Sequence, residues 1–305
     1  MIRRSLDQRM DQLLILDGAM GSQLMARGIK VERCPDLLCV QDPDSILAIH
    51  ADYINAGADA ILTNTFGANP IALARYGLED RCRQINHAAA VLAKRAAGPE
   101  RYVLGDIGPS GQLPEPLGTV SVEQLQSAFA QQADALLAAG VDGFIIETMT
   151  SLEEVLAAVD GIRQVDPDVP VLVSMAFDAT ARGFRTMMGV DVGSMVSALV
   201  GRGIQAVGFN CGSASLEEYV ALAKEFVGAV RSAGDRIRLI AEPNAGKAEL
   251  QQDDRPTWKV TANEFALTLQ RIFYEGVSIL GGCCGTGPDH IRAAVELLRG
   301  PVGPS

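Results

Sequence analysis

Three of the six cysteines stand in glycine-rich segments that could bring their thiols together. Cys211 lies in Gly208-Phe-Asn-Cys-Gly212, and Cys283 and Cys284 are adjacent in Gly281-Gly-Cys-Cys-Gly-Thr286. Flanking glycines let the backbone turn tightly enough for neighbouring thiols to face one centre. Three soft thiolates suit zinc, and three protein ligands leave a fourth tetrahedral position for a substrate. Two other interpretations stay open here, namely inert packed thiols and a vicinal redox disulfide.

Polar side chains follow most of the short apolar runs of the chain. In barrels of alternating strands and helices, the active site is built from the loops at the carboxyl ends of the strands. The polar residues at these positions are Asp17, Asn64, Asp106, Glu147, Asn210, Glu242 and Asn244. As a set they predict one site, although any single strand-end carboxylate is as often a helix cap. His50, His87 and His290 fall within helical segments, so a Ser–His or Cys–His nucleophile has little support.

The elements that must position these residues are eight short apolar runs separated by helical segments. The runs are Leu13–Asp17, Ala58–Asn64, Tyr102–Asp106, Gly143–Glu147, Val169–Phe177, Ala206–Cys211, Ile237–Glu242 and Val277–Cys283. Most are continuous rather than alternating, which is typical of strands buried on both faces of a parallel sheet. We therefore predict an α/β chain that forms a single-domain (β/α)8 TIM barrel over residues 1–300, with 301–305 as a frayed tail.

Helix-start and helix-end signals are in phase with this pattern. Four capping boxes are predicted at Ser121-x-x-Gln124, Ser151-x-x-Glu154, Ser215-x-x-Glu218 and Thr261-x-x-Glu264. Left-handed caps are predicted at Gly57, Gly140, Gly203 and Gly276. An open doubly wound sheet is the alternative, but it would carry a glycine-rich phosphate turn after the first strand. The segment from Asp17 to Ser22 contains only Gly-x-x-Gly.

Composition narrows the class of partner. The formal net charge of −11 argues against a surface that grips nucleic acid or an anionic membrane. No apolar run is long enough to span a bilayer and no secretory leader is recognisable, so a cytoplasmic location is expected. Six cysteines in 305 residues do not make a disulfide framework, and Cys34, Cys39 and Cys82 are predicted to be buried free thiols.

Seven motifs, each at the end of a predicted strand, resemble one family, the zinc-dependent homocysteine S-methyltransferases. They are Leu16-Asp-Gly-Ala-Met-Gly21, Thr63-Asn-Thr-Phe-Gly67, Gly105-Asp-Ile-Gly-Pro109, Glu147-Thr148, Gly208-Phe-Asn-Cys211, Glu242-Pro-Asn-Ala-Gly246 and Gly281-Gly-Cys-Cys-Gly285. Within that family the chain is most similar to the homocysteine-binding module of cobalamin-dependent methionine synthase. The betaine-using branch is less similar, because it has a tyrosine where Gly67 stands. No aromatic box is apparent either, since the one tryptophan, Trp258, is predicted to lie elsewhere.

The resemblance implies that homocysteine binds through sulfur to a zinc ion held by Cys211, Cys283 and Cys284. That sulfur would then attack an activated methyl group to give methionine. The resemblance assigns the rest of the substrate to a further set of residues. Asp17 and Glu147 would bind the ammonium group, Asn244 would add a hydrogen bond, and the amides of Gly18 and Ala19 would hold the carboxylate. Asp106, Asn64 and Asn210 would orient loops or support ligands.

The sequence leaves alternatives open for the methyl donor and for the class of protein. The resemblance favours a methylcorrinoid (cobalamin) carried on a partner protein, with a small sulfonium such as S-methylmethionine as the main rival. A barrel lyase would need a Schiff-base lysine, for which Lys247 is the one candidate. A non-catalytic subunit would need Cys34 or Cys39 to close a structural zinc site. Acidic barrels of this size often pair through their outer helices, so a homodimer is also an expectation.

Overall fold

Eight parallel strands form one sheet that curls into a nearly closed barrel in the computed structural model of the protein. The structure describes residues 3–29, 34–234, 237–250 and 256–300. The strands are β1 Leu14–Ile15, β2 Ala60–Leu62, β3 Tyr102–Ile107, β4 Gly143–Met149, β5 Val171–Met175, β6 Ala206–Asn210, β7 Arg238–Glu242 and β8 Ile279–Leu280. Their order in the sheet is β1-β8-β7-β6-β5-β4-β3-β2. The predicted single-domain (β/α)8 barrel is confirmed, while residues 301–305 lie outside the described residues.

A main helix follows each strand and packs on the outside of the sheet. These helices are α1 Pro43–Asn55, α2 Cys82–Ala97, α3 Val122–Ala138, α4 Leu152–Val165, α5 Val192–Leu199, α6 Leu216–Ser232, α7 Ala262–Glu275 and α8 Pro288–Arg299. Short helices precede β1 or lie in the strand-to-helix loops at Leu6–Arg9, Met20–Ala26, Leu38–Gln41 and Pro70–Ala74, with 3-10 turns at Pro35–Leu37 and Glu79–Arg81. Two small hairpins pair Asp178–Thr180 with Gly183–Arg185, and Glu249–Leu250 with Pro256–Thr257.

Two carboxylates bridge the seam between β1 and β2. At the bottom of the barrel the Asp59 amide donates to the Ile15 carbonyl at 2.7 Å, and the Ile15 amide donates to Asp59 Oδ2 at 2.8 Å. Nearer the top, the Leu62 amide donates to Asp17 Oδ2 at 3.0 Å. Side-chain oxygens therefore satisfy amides that a regular ladder would pair with carbonyls.

The apolar core has two layers, as a filled barrel requires. One lies inside the barrel and consists of inward-facing strand residues such as Leu104, Ile145 and Ile240. Leu6 and Met10, from the first helix and its end, close this layer from below. The larger layer lies between the sheet and the ring of helices. The site is thus left at the opposite, upper end of the barrel.

The helix-start predictions hold with one difference. Ser121, Ser215 and Thr261 form complete capping boxes, whereas at Ser151 the hydroxyl accepts from the Glu154 amide but Glu154 does not reach back. The four predicted cap glycines all have positive φ, between 69° and 114°.

The thiol and histidine placements also follow the sequence. Cys34, Cys39 and Cys82 are buried and free. The three histidines lie on α1, α2 and α8. Within the described residues, no helix combines the length and apolarity that crossing a bilayer requires.

Candidate metal centre

The three glycine-flanked cysteines meet at the upper mouth of the barrel because both of their loops are tied to the loop after β7. The Cys211 amide donates to the Glu242 carbonyl at 3.3 Å, and the Cys283 amide to the Pro243 carbonyl at 2.9 Å. The Cys284 carbonyl in turn accepts from the Ala245 amide at 2.9 Å. Since β7 lies between β6 and β8, its end serves as a common support for thiols that are over 70 residues apart in sequence.

The three sulfur atoms form a group that could bind a metal ion. All lie within 4.8 Å of one another, and Sγ of Cys211 is 3.9 Å from Sγ of Cys284. Hydrogen bonds with Cys283 and Cys284 lower the pKa of Cys211. Hydrogen bonds with Cys211 and Cys284 in turn raise the pKa of Cys283. Within the described chain this is the one such group of three or more His, Cys, Asp or Glu residues.

Cys211 is held in a conformation that few side chains adopt. Its φ is +52°, and that of the next residue, Gly212, is +76°. A Cβ at Gly212 would lie 2.3 Å from the Phe177 carbonyl oxygen, so only glycine fits at this turn. The Tyr219 hydroxyl donates to the Cys211 carbonyl at 2.7 Å and fixes it from behind. Strained backbone of this kind is maintained where the surrounding structure determines it, often at functional sites.

Asn210, at the end of β6, connects the tips of three strands. Its amide nitrogen donates to Glu147 Oε2 at 2.8 Å and to the Thr148 hydroxyl at 2.6 Å. Its amide oxygen accepts from the Thr148 amide at 2.8 Å and the Ser174 hydroxyl at 2.9 Å. Thr148 is the second non-glycine residue with positive φ, +57°. Asn210 therefore positions Glu147 beside the thiols, the supporting role that the family resemblance implied.

Four carboxyl groups surround the thiols in a cavity of about 660 Å³. They belong to Asp17, Asp106, Glu147 and Glu242, all at strand ends. Burial is the main cause that raises the pKa of each, and their mutual repulsion adds to it for Asp17, Asp106 and Glu242. For Glu147, burial and then the neighbouring Cys211 raise the pKa to about 8. Such a cluster favours a positively charged guest, which relieves both effects.

Two of these carboxyls have an oxygen without a hydrogen-bond partner in the described structure. Oδ1 of Asp106 and Oε2 of Glu242 are buried and unpaired, and both side chains line the cavity. In contrast, Asp17 already accepts from Leu62, and Glu147 from Asn210. A buried oxygen left unpaired costs about 1–3 kcal/mol, so a ligand that donates hydrogen bonds would be stabilised here.

The remaining predicted substrate residues differ in how they face the cavity. Gly18 and Ala19 line it, but the Ala19 amide already donates to the Thr286 hydroxyl at 3.2 Å. Asn244 is buried beneath it, and its amide nitrogen donates to the Gly212 carbonyl at 2.7 Å. Asn64 lines the cavity and donates to the Pro35 carbonyl at 3.0 Å.

The structure corrects the expected placement of Trp258. Its side chain lines the cavity and packs over Gly285, where a Cβ would lie 2.2 Å from the indole Cγ. Phe66 and Tyr76 also line the cavity. The strand-end pattern did not predict these residues. Tyr76 and Trp258 lie in loops outside the strand-end motifs, and Phe66 lies in the middle of the motif Thr63–Gly67. Only the fold brings such loops over the barrel mouth.

Two alternatives lose support from the geometry. Lys247 is exposed, pairs with Glu218 at 3.7 Å and does not line the cavity, so it is not placed to form a Schiff base. Cys34 donates to Asp36 at 3.4 Å and Cys39 contacts the Asn64 carbonyl at 3.6 Å. Neither belongs to the group of three thiols, so neither closes a fourth ligand position.

A TIM barrel with three thiols grouped at its upper mouth, where they could bind a metal ion, defines the class of this protein. The family model described as homocysteine S-methyltransferase matches residues 14–298. The chain therefore belongs to the homocysteine S-methyltransferase family.

Relatives and solved structures agree with this assignment. The chain is 32% identical to methionine synthase of Mycobacterium tuberculosis over 318 residues, which cover 97% of this chain but 26% of that protein. Methionine synthase of Mycobacterium leprae is also 32% identical, covering 94% of this chain and 24% of that protein. The chain thus spans about a quarter of the length of these curated relatives.

The homocysteine methyltransferase MmuM from Escherichia coli, in its metallated form, is similar in structure. It has a TM-score of 0.75 and 26% identity, over 93% of this chain and 95% of that one. A methyltransferase from Methanosarcina mazei, at 12% identity and a TM-score of 0.56, shares the fold.

Proposed function

We propose that the chain transfers a methyl group to the sulfur of homocysteine, with a zinc ion held by Cys211, Cys283 and Cys284. The observation that carries the proposal is the group of three sulfurs within 4.8 Å, which lines a cavity and has no fourth His, Cys, Asp or Glu ligand among the described residues. Family membership supplies the substrate class, because the matching family model is described as homocysteine S-methyltransferase.

The donor set fits zinc. Three thiols can become soft thiolates, and the group leaves one position of a tetrahedral shell for the substrate. When bound, zinc lowers the pKa of a thiol ligand so that the sulfur is a nucleophile at neutral pH. The chain's own contribution is to hold its three sulfurs together through the loop after β7 and through the strained turn at Cys211.

The carboxyl cluster would bind the ammonium group of homocysteine. We retain Asp17 and Glu147 for this role and add Asp106 and Glu242, because each has a buried oxygen without a partner. The amide of Gly18 would bind the carboxylate, while Ala19 would contribute shape rather than a hydrogen bond, since its amide is occupied. Asn244 would act by holding the Gly212 carbonyl and thus the Cys211 turn.

Two donor classes each have a specific support. The similarity to methionine synthases supports a methylcorrinoid donor. The acidic cavity with Phe66, Tyr76 and Trp258 supports a small sulfonium, because aromatic faces and carboxylates both stabilise a cation. A cytoplasmic location and a homodimer stay predictions.

The experiment is a donor screen combined with metal analysis. Protein loaded with zinc is mixed with homocysteine and, in turn, methylcobalamin, S-methylmethionine, S-adenosylmethionine and betaine, and methionine is measured. We expect about one zinc per chain and methionine from at least one donor. In Cys211→Ala we expect loss of zinc and of product.

The matched control is Cys82→Ala, which removes a buried thiol far from the metal group in sequence and should keep its zinc. Zinc bound at full occupancy with no homocysteine-dependent methionine from any donor would refute the methyltransferase proposal. Zinc retained by Cys211→Ala would refute the ligand assignment.

A further inference from the structure

The outer wall of the cavity carries one basic side chain. Arg75 caps the short helix Pro70–Ala74 after β2, and its Nε donates to the Ala72 carbonyl at 3.3 Å. Among the described residues that line the cavity, it is the sole Lys or Arg. In a cavity with five acidic lining residues, this guanidinium supplies a positive charge that would stabilise an anionic group.

A glycine in the next loop holds the position of this guanidinium. A Cβ built at Gly111 would lie 2.7 Å from Nη1 of Arg75 and 2.9 Å from Nη2. The guanidinium therefore rests directly on the backbone of the loop after β3. Gly111 also has a φ of +72°, so both its conformation and its lack of a side chain are needed there.

The charge of Arg75 is not taken up by an ion pair within the described part of the chain. Asp36 is an acidic residue whose charge interacts with that of Arg75. It is buried and already accepts hydrogen bonds from the Gly67 amide at 2.9 Å and from the Cys34 thiol at 3.4 Å. Burial raises the pKa of Asp36, and Arg75 partly offsets that shift. The terminal nitrogens of Arg75 are thus available to a carboxylate in the cavity.

Two aromatic side chains, Phe66 and Tyr76, line the same cavity as Arg75. Tyr76 is the next residue, and the Phe66 ring lies over Gly108, where a Cβ would be 2.5 Å from Phe66 Cδ2. Aromatic faces attract cations, including positively charged ligands. A guanidinium next to such rings complements a small molecule that carries both a carboxylate and an onium centre.

The thiol end of the cavity has the opposite charge preference. Glu147 interacts there with Cys211, and Asp17 and Glu242 interact with Glu147, whereas Arg75 is the sole Lys or Arg among the described lining residues. A donor whose methyl points at the thiols would have its carboxylate repelled from this end. That repulsion and the Arg75 charge favour the same orientation.

We propose that Arg75 binds the carboxylate of the methyl donor and thereby selects amino-acid sulfonium donors over those without a carboxylate. This rests on the proposed function. In the transfer, a bond forms between the homocysteine sulfur and the methyl carbon as the bond from the donor's sulfonium sulfur to that carbon breaks. The electron pair stays on the donor sulfur, which leaves as a neutral thioether, and the homocysteine thiol proton goes to solvent. Arg75 touches none of these atoms and is a positioning residue.

The test compares donors that differ only in the carboxylate. S-methylmethionine is compared with its amino-alcohol analogue, in which CH2OH replaces the carboxylate, using wild type, Arg75→Gln and Arg75→Lys. We expect Arg75→Gln to raise the KM for S-methylmethionine about tenfold, ~1.4 kcal/mol, and to remove the preference over the alcohol. Arg75→Lys should retain part of the preference for S-methylmethionine over the alcohol, since a lysine keeps the charge but not the bidentate geometry. The KM for homocysteine should stay within about twofold.

Binding supplies a readout that does not need turnover. Calorimetric titration with S-methylmethionine alone should show about tenfold weaker binding to Arg75→Gln than to wild type. Arg83→Gln is the matched control, because it removes one arginine charge from an exposed pair with Asp134 outside the cavity. It should bind as wild type does.

The possible failures are distinguishable. Equal losses with both sulfonium donors, or a change confined to the KM for homocysteine, would overturn the role of Arg75. Methionine made from methylcobalamin with no binding of either sulfonium would overturn it as well, yet leave the proposed function standing. Arg75-dependent binding of S-methylmethionine without methionine from any donor would support the subsite and refute the proposed function.

Discussion

At the scale of single residues, the site depends on side chains whose neighbours set their chemistry. Cys211, Cys283 and Cys284 lie half-buried at the cavity, whereas Cys34, Cys39 and Cys82 are buried in apolar surroundings. Burial raises the pKa of each of these last three thiols to about 12. Reactivity follows the thiolate, and hydrogen bonds from Cys283 and Cys284 lower the pKa of Cys211, so Cys211 should react faster than the three buried thiols.

Thiol labelling checks this difference. In reduced, metal-free native protein we expect Cys211 to react rapidly with a thiol reagent at pH 8, and all six cysteines to react after unfolding. Addition of zinc should protect Cys211, because a coordinated thiolate is shielded from the reagent. Mass spectrometry of labelled peptides assigns the sites. Rapid labelling of Cys82 in the native protein would contradict the prediction.

Glu147 makes the stability of the metal-free protein depend on pH. Its pKa is raised in the folded state to about 8, above the ordinary value of 4.5. The folded protein therefore holds this proton more tightly than the unfolded chain. The associated stability is fully present below about pH 4.5 and is lost as pH rises through about 8.

Urea unfolding of the metal-free protein at several pH values tests this. Between pH 5 and 8.5 we expect wild type to lose ~1–3 kcal/mol more stability than Glu147→Gln, which cannot ionise. Glu123→Gln is the control, because Glu123 is exposed and its pKa is lowered by hydrogen bonds to its own backbone amide and Ser121. If the unfolding free energies of wild type and Glu147→Gln changed equally with pH, the pKa of Glu147 would not be raised in the folded protein.

At the scale of elements, the same capping motif has two different uses. In α7 the Glu264 carboxylate accepts from the Thr261 amide at 2.9 Å, which completes the box at an exposed helix start. In α4 the Glu154 carboxylate turns away from Ser151 and accepts from the Ser110 amide at 2.7 Å and from its hydroxyl. Glu154 therefore fastens the loop after β3, which forms part of the cavity wall.

The two glutamates should differ when truncated. We expect Glu154→Ala to cost ~2–3 kcal/mol, because it leaves the buried Ser110 amide without a partner. Glu264→Ala should cost about 0.5–1 kcal/mol, the effect of an exposed cap. Urea denaturation measures both. Equal costs would mean that Glu154 acts only as a cap.

At the scale of the whole molecule, the barrel closes around a buried carboxylate rather than through a continuous ladder. Asp59 at the bottom of the seam pairs with Arg9 at 3.0 Å and Arg101 at 3.5 Å, and also contacts Arg299 from the last helix. The ion group thus joins the first and last elements of the chain to β2. Removing it would leave three guanidinium groups without their shared partner.

We therefore expect Asp59→Ala to destabilise the protein by ~3–5 kcal/mol, the usual cost of breaking a buried pair. Asp134→Ala is the matched control. Its side chain is 54% exposed, against 8% for Asp59, so its pair with Arg83 should contribute less than about 1 kcal/mol. Chemical denaturation compares them. A loss of under about 1 kcal/mol in Asp59→Ala would mean that the seam closes without this group.

The sequence by itself determined the elements and the residues at their ends. Continuous apolar runs, capping boxes and cap glycines depend on contacts within a few residues, so the eight strand–helix units could be predicted from local pattern. The strand-end positions of Asp17, Glu147 and Cys211 followed from the same pattern, because a parallel barrel brings all strand ends to one side.

Only the tertiary structure decided which side chains fill the cavity and which support it. Trp258, Phe66, Tyr76 and Arg75 enter the cavity from loops, and loop paths depend on contacts such as that of Arg75 with Gly111, far apart in sequence. Likewise, the Asn244 side chain hydrogen-bonds to the Cys211–Gly212 turn, a contact that its position at a strand end does not fix. Local periodicity carries no information about such long-range contacts, which form only when the barrel closes.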